Sequence, residues 1–187
     1  MKWCVAMVLG LGLGLPAAAQ ECFVGQPRQV TYDDGRVVTI IQRHGDDLTY
    51  TTPQAGNQDT VHKSHLMLFP KASRSGARSI EHRWSSNLPK LGDLVPAYRF
   101  DLAAKMKSGD GAAVDYRSTG EVLGLDEVKL GDCRYAVLVI RMEISLDGQL
   151  AIVATQYFSA DLGVVLASRV EGIATGSEKA NTVTGLQ

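Results

Sequence analysis

The chain has almost no net charge. Its 187 residues carry 19 Lys and Arg against 20 Asp and Glu, a formal net charge of -1. That balance excludes a global electrostatic pull toward nucleic acid or an anionic membrane. With 45% hydrophobic and 21% charged residues, it is no disordered tail either. Catalytic signatures are missing as well. There is no G-x-S-x-G elbow and no S-x-x-K. Gly109-Asp110-Gly111 lacks the Lys and following helix of a phosphate loop. Asp33-Asp34 and Asp46-Asp47 lack the ligand ladder of a calcium loop and read as solvated turns. His62 and His65, three apart in a predicted strand, fall on opposite faces, which makes a shared metal awkward. No metal, cofactor or enzymatic activity is therefore expected. Helical periodicity is also scarce. Residues 80–91 are the best helix candidate, and Pro89 limits them. Without repeats or a linker, the length suits one domain.

Cysteine is rare, and the three residues present are unevenly placed. Cys4 lies in the apolar run 4–15, which follows Lys2 and is broken by Pro16 before Ala17-Ala18-Ala19. This is the charged, apolar and small-residue order of a secretory signal peptide, with cleavage expected after Ala19. The run is too short to span a bilayer, which takes roughly 20 residues. Cys22 does not follow the small residues directly, so no lipid-modified N-terminus is expected. Lys2 is the only charge in residues 1–19, so the remainder holds 18 basic and 20 acidic residues, net -2. Removing Cys4 leaves the pair Cys22 and Cys133, and an even pair in an exported chain reads as a disulfide. A catalytic thiol pair would need a C-x-x-C spacing or an adjacent His, and neither is there. Export points to the periplasm.

What the chain has in quantity is period-2 alternation, the mark of half-buried strands. Tyr98, Phe100, Leu102, Ala104 and Met106 alternate with Arg99, Asp101, Ala103, Lys105 and Lys107. A turn over 108–111 leads to the return strand at Val114 and Tyr116. A second hairpin runs through Leu138, Ile140, Met142 and Ile144, turns at Asp147-Gly148 and returns over 149–158. A two-residue loop predicts Leu146 opposite Gln149, Met142 opposite Val153, Leu138 opposite Tyr157 and Val137 opposite Phe158. A strand over 164–170 follows. Upstream, strands are predicted at 29–32, 36–43, 48–52 and 61–69, the last ended by Pro70. The expected fold is mainly β: a single antiparallel, curved sheet or half-barrel of about eight to ten strands over 20–171, α+β at most. The polar residues 172–187 are expected to form a mobile tail or a weak edge strand.

The segment 122–170 carries a resemblance. It reads Gly124-Leu125-Asp126-Glu127-Val128-Lys129-Leu130-Gly131-Asp132-Cys133-Arg134-Tyr135, then a long strand. After Asp147-Gly148 it reaches Tyr157-Phe158-Ser159-Ala160-Asp161-Leu162-Gly163-Val164-Val165. This resembles small exported proteins of the Gram-negative envelope, of unknown function, with a sheet similar to that of lipoprotein-carrier-like half-barrels. The resemblance implies a curved sheet with one concave apolar face, a lipophilic ligand or a partner chain, and no enzyme.

Two places are candidate sites. Lys71, Arg74, Arg78 and Arg83 gather in a Ser/Gly-rich stretch that ends at Trp84, the only Trp after residue 19. Guanidinium forks suit phosphate or carboxylate, and Trp suits an interface. These five residues are the candidate contact for a partner protein or anionic lipid headgroups, with a solvated loop as the alternative. Val137, Val139 and Phe158 are the candidate lining of an apolar cavity. The expected function is a non-enzymatic periplasmic protein that binds a partner protein or assists envelope assembly. The alternative is a lipophilic-ligand binder.

Overall fold

A computed structural model describes residues 22–53 and 59–187. The signal-peptide segment 1–19 and its cleavage point lie outside the described residues. Twelve antiparallel strands follow one another: β1 Gln29–Tyr32, β2 Val37–His44, β3 Asp47–Thr52, β4 Thr60–His65, β5 Phe69–Ser75 and β6 Arg78–Trp84, then β7 Arg99–Ser108, β8 Ala113–Leu130, β9 Cys133–Leu146, β10 Gln149–Ser159, β11 Val164–Gly172 and β12 Ser177–Leu186. Each pairs with its neighbours in sequence, and β1 also pairs with β12, so the sheet closes into a barrel. The mainly β expectation holds, but the half-barrel is corrected to a closed one. Residues 172–187 are not a tail. β12 is paired on both sides, by β11 and by β1. Its mostly polar sequence hid this, because main-chain bonds on both sides hold it, with Val183 and Leu186 alone of its side chains in the apolar cluster.

Gly-containing turns drive much of the meander. At Asp147-Gly148 both residues have positive φ, 47° and 78°, as the tight hairpin turn requires. One turn breaks that rule. Leu66 and Met67 have φ of 52° and 58°, in a region that side chains with a Cβ rarely adopt. Leu66 is 3% exposed and Leu68 7%. Apolar burial therefore outweighs turn propensity here, and the strand predicted over 61–69 is in fact the β4–β5 hairpin. Likewise 80–91 is no helix: it supplies β6 and leads to a single 3-10 turn at Leu91–Asp93.

The long hairpin β9–β10 starts in the expected register, with Gln149 opposite Leu146. A β-bulge between Leu150 and Ile152 then adds one residue. Beyond it Ala154 faces Met142, Tyr157 faces Val139 and Phe158 faces Leu138. A slip of one residue moves every later side chain to the other face. Phe158 thus leaves Val137 and joins Leu138, Ile140, Met142, Phe69 and Phe100 in one apolar cluster. Val137 packs in a second cluster with Val30, Val38, Val128, Val164 and Val183. Consecutive strand residues point to opposite faces, so the sheet is covered on both sides at Val137 and Leu138. Met67, in the strained turn, packs against both clusters. Phe100 pairs with Gly120, where an added Cβ would overlap its ring and come within 2.6 Å of the Arg141 carbonyl oxygen, so only glycine fits.

Cys22 and Cys133 form the expected disulfide, with Cα atoms 5.4 Å apart across 111 positions. The bond pins the segment before β1 to the start of β9. Beside it, the Phe23 amide donates to the Tyr135 hydroxyl at 3.0 Å. Loop-closure entropy puts the contribution of such a link at about 4–5 kcal/mol. Cys22→Ser and Cys133→Ser are each expected to lower the melting temperature and the urea midpoint by similar amounts. Unchanged transitions in both variants would contradict the assignment.

Candidate functional site

The turn between β2 and β3 is His44-Gly45-Asp46-Asp47, with Gly45 at φ 58°. It sets two carboxylates side by side at one end of the barrel. Asp47 opens β3 and lies directly opposite His65, the last residue of β4. The Asp47 Oδ1 and His65 Nδ1 atoms are 2.8 Å apart. Lys71 Nζ donates to Asp47 Oδ2 at 2.6 Å. Lys71 reaches it from a bulge. Lys63 pairs with Ala72 and Ser64 with Pro70, which leaves Lys71 unpaired in the ladder and aimed out of register. Burial raises the Asp47 carboxyl, but the hydrogen bonds from Lys71 and His65 outweigh it, and the net direction is downward. Asp47 is therefore a carboxylate that bridges Lys71 and His65.

The same turn holds a strap, residues 85–98, that crosses the barrel end. Its ends are fixed by main-chain bonds, Ser85 N–H to the Ala103 carbonyl (2.9 Å) and Ala97 N–H to the Val122 carbonyl (2.7 Å). Its middle is held by side chains. His65 Nε2 lies 2.9 Å from the Pro89 carbonyl oxygen, and the Leu91 N–H donates to Asp46 Oδ2 at 3.1 Å. Leu94 is buried in the apolar cluster, and Leu88 and Leu91 pack against it.

Opposite the turn, β6 supplies an aromatic wall. Trp84 Nε1 donates to the Pro70 carbonyl at 2.9 Å. The Trp84 ring meets Phe69 and Tyr116 edge-on, at 6.1 and 5.5 Å between centroids. His82 meets Tyr116 edge-on at 4.8 Å. Burial pushes the Tyr116 hydroxyl up to about 12 and holds His82 below its ordinary value. The buried His82 Nδ1 has no hydrogen-bond partner among the described residues. Turn, strap and wall enclose an open cleft of about 820 Å³.

The predicted residues divide. Lys71 and Trp84 line the cleft. Arg74, Arg78 and Arg83 do not, and the stretch that carries them is the β5–β6 hairpin rather than a loop. Arg74 pairs with Ser79 and Ala72 with Glu81, so Arg74 and Arg83 share a face, while Arg78 lies on the face of His82 and Trp84. Arg83 sits 3.9 Å from Glu81. Val137 and Phe158 are 1% and 0% exposed in their separate clusters, Val139 is half-buried, and none of the three lines the cleft. His62 and His65 do take opposite faces: His62 stacks on Tyr50 at 4.9 Å, away from Asp47. Asp46, Asp47 and His65 escaped sequence reasoning, which read the two carboxylates as a solvated turn. Their partners lie 18 to 45 positions away. Only the adjacency of two acidic residues to a turn glycine hinted at them.

No family model and no curated protein matches the chain. Among solved structures it is similar to the hypothetical lipoprotein YmcC from Escherichia coli K12, with a TM-score of 0.53 and 13% identity. The match covers 84% of this chain and 82% of that one. The likeness therefore extends well beyond residues 122–170, and it is a likeness of fold.

A buried histidine held below its unfolded value weakens the fold on the acid side. The unfolded chain binds the proton more readily, so stability falls as pH drops below the ordinary value of 6.5. His82→Phe keeps the aromatic contact with Tyr116 and removes both the titration and the orphaned nitrogen. It is expected to raise stability relative to the parent below about pH 6.5, with a smaller difference above it. Urea titrations across that range read the effect. A difference that does not grow toward acid pH would contradict it.

Proposed function

We propose that this chain is an exported, non-enzymatic envelope protein that binds a partner protein, and that the partner places polar side chains in the cleft between the β2–β3 turn, the strap and Trp84. The observation that carries this reading is the cleft itself, with ion-pairing groups on one side and an aromatic wall on the other. The closed barrel narrows the other routes. Every strand has a neighbour on both sides, which removes the free edge that a partner strand would need. The Cys22–Cys133 bond suits an oxidising compartment such as the periplasm.

A binding role is supported over catalysis by how the ionisable groups are used. An Asp–His pair acts as a general base when the far ring nitrogen faces substrate. Here that nitrogen, His65 Nε2, faces the Pro89 carbonyl at 2.9 Å. The lipophilic-ligand alternative rested on Val137, Val139 and Phe158, and the packing of Val137 and Phe158 into different clusters gives it no support. The exposed Arg74, Arg78 and Arg83 leave room for a secondary contact with anionic headgroups.

Photo-crosslinking in cells tests the reading. A photoreactive residue at Asn87, on the exposed rim of the cleft, is expected to give a discrete protein adduct. The same residue at Glu127, on the exposed face of β8, is expected to give none. Ser86→Trp, which fills the cleft from its rim, is expected to reduce the Asn87 adduct. Equal yields from both positions, or no adduct from Asn87, would count against the cleft.

A further inference from the structure

The hydrogen bonds of His65 cannot all be made by a neutral ring. A neutral imidazole has one N–H donor and one acceptor nitrogen. Both nitrogens of His65 face acceptors: the Asp47 carboxylate at Nδ1, 2.8 Å away, and the Pro89 carbonyl at Nε2, 2.9 Å away. Neither acceptor carries a proton to give. Asp47 is the carboxylate that Lys71 also binds, and a main-chain carbonyl only accepts. With an acceptor at each nitrogen, the doubly protonated ring is the form that makes both hydrogen bonds.

We infer that His65 is a proton-operated latch, which fastens the strap to the β2–β3 turn when the ring is charged and frees it when the ring gives up a proton. The proton lost is the one on Nε2. Its neighbour Nδ1–H points at a charged acceptor, and that bond keeps its proton. The Nε2 lone pair then faces the Pro89 oxygen across 2.9 Å, and repulsion replaces attraction. What moves is set by the anchoring. Residues 85 and 97 stay tied to β7 and β8 by main-chain bonds. Between them Asp46 is the other polar side chain that fastens the strap to the turn, through the Leu91 N–H. Opening therefore widens the cleft on the strap side and loosens Leu88, Leu91 and Leu94 from the apolar cluster, while the strand pairing of the barrel is kept.

Other charged and titratable groups line the same cleft. Asp47 and Lys71 come from β3 and β5, and Asp46 and His44 from the β2–β3 turn. Lys90 comes from the strap, where its own N–H is tied to Asp93, and His82 comes from β6. His82 is held toward the neutral form by burial. Lys71 is occupied by Asp47. His65 is the ring whose two bonds join the turn to the strap. The biological use of the latch rests on the binding role proposed above, whereas its test reads the strap alone.

Amide hydrogen exchange on the full chain, corrected for intrinsic exchange rates, measures strap opening directly. Between about pH 5 and about pH 8, where histidine changes charge, protection at Leu91 and Leu94 is expected to fall on the order of tenfold. Protection in β8 and β9 is expected to stay constant. His65→Gln is expected to abolish the pH dependence, and His44→Gln to leave it intact. Nitrogen-15 spectra of the unaltered protein supply a second reading, with Nε2 expected to lose its proton while Nδ1 keeps one. Constant strap protection, a pH dependence that survives His65→Gln, or loss of the proton from Nδ1 first would each overturn the latch. None of these results depends on whether Asn87 captures a partner.

Discussion

Everything in this molecule depends on the seam between β1 and β12. It is a short one. Val30 pairs with Leu186, Thr31 with Gly185 and Tyr32 with Val183, with an irregularity before the last pair. Main-chain bonds extend it at both ends: Gln29 N–H to the Gln187 carbonyl (2.9 Å), Gln187 N–H to the Gln29 carbonyl (3.0 Å) and Asp33 N–H to the Thr182 carbonyl (2.9 Å). Without these bonds the same strands would form an open, curved sheet with two exposed edges and a concave face. With them both free edges disappear, and the end of the barrel is where we propose that a partner is recognised. The disulfide supports the seam from one side, because it ties the segment leading into β1 to β9, across the sheet from β12.

Closure also explains why the interior tolerates strain. The β4–β5 turn places Leu66 and Met67 in the left-handed region, at roughly 1–2 kcal/mol per residue. Fully burying a leucine or methionine side chain returns about 1.5–3 kcal/mol. Leu66 and Leu68 are nearly fully buried, and Met67 touches both apolar clusters. The turn thus joins two cores that the sheet would otherwise keep apart. It also ends at Phe69, the ring that packs against Trp84 and Phe100. The aromatic wall of the cleft and the strained turn are consequently parts of one packed unit.

Local patterns made much of this legible, and long-range pairing made the rest invisible. Hairpins with Gly-containing turns, such as those at Asp34-Gly35 and Asp147-Gly148, could be read from alternation and turn chemistry alone. The Leu-Met-Leu turn could not, because its residues disfavour the conformation and are held there by burial. The bulge at Ala151 carries no sequence mark, yet it decides which face Phe158 takes. β12 is mostly small and polar, with Val183 and Leu186 packed into the core. Much of its placement comes from main-chain bonds to β11 and β1, which no side-chain period reports. In the cleft, Lys71 and Trp84 stood out by charge and rarity. Asp46, Asp47 and His65 acquire their meaning only when β2, β3, β4 and the strap meet.

At one barrel end, then, the Asp47–His65–Lys71 cluster and Asp46 meet a strap beside an aromatic wall. That arrangement depends on closure, and closure can be measured at the seam. Amide exchange at Gln29, Asp33 and Gln187 reads the bonds that cross it. A closed barrel requires these amides to be protected well above the level of exposed turns such as Asp110-Gly111. Exchange as fast as in those turns would mean an open half-barrel with free edges, and would contradict the proposal that recognition takes place in the cleft.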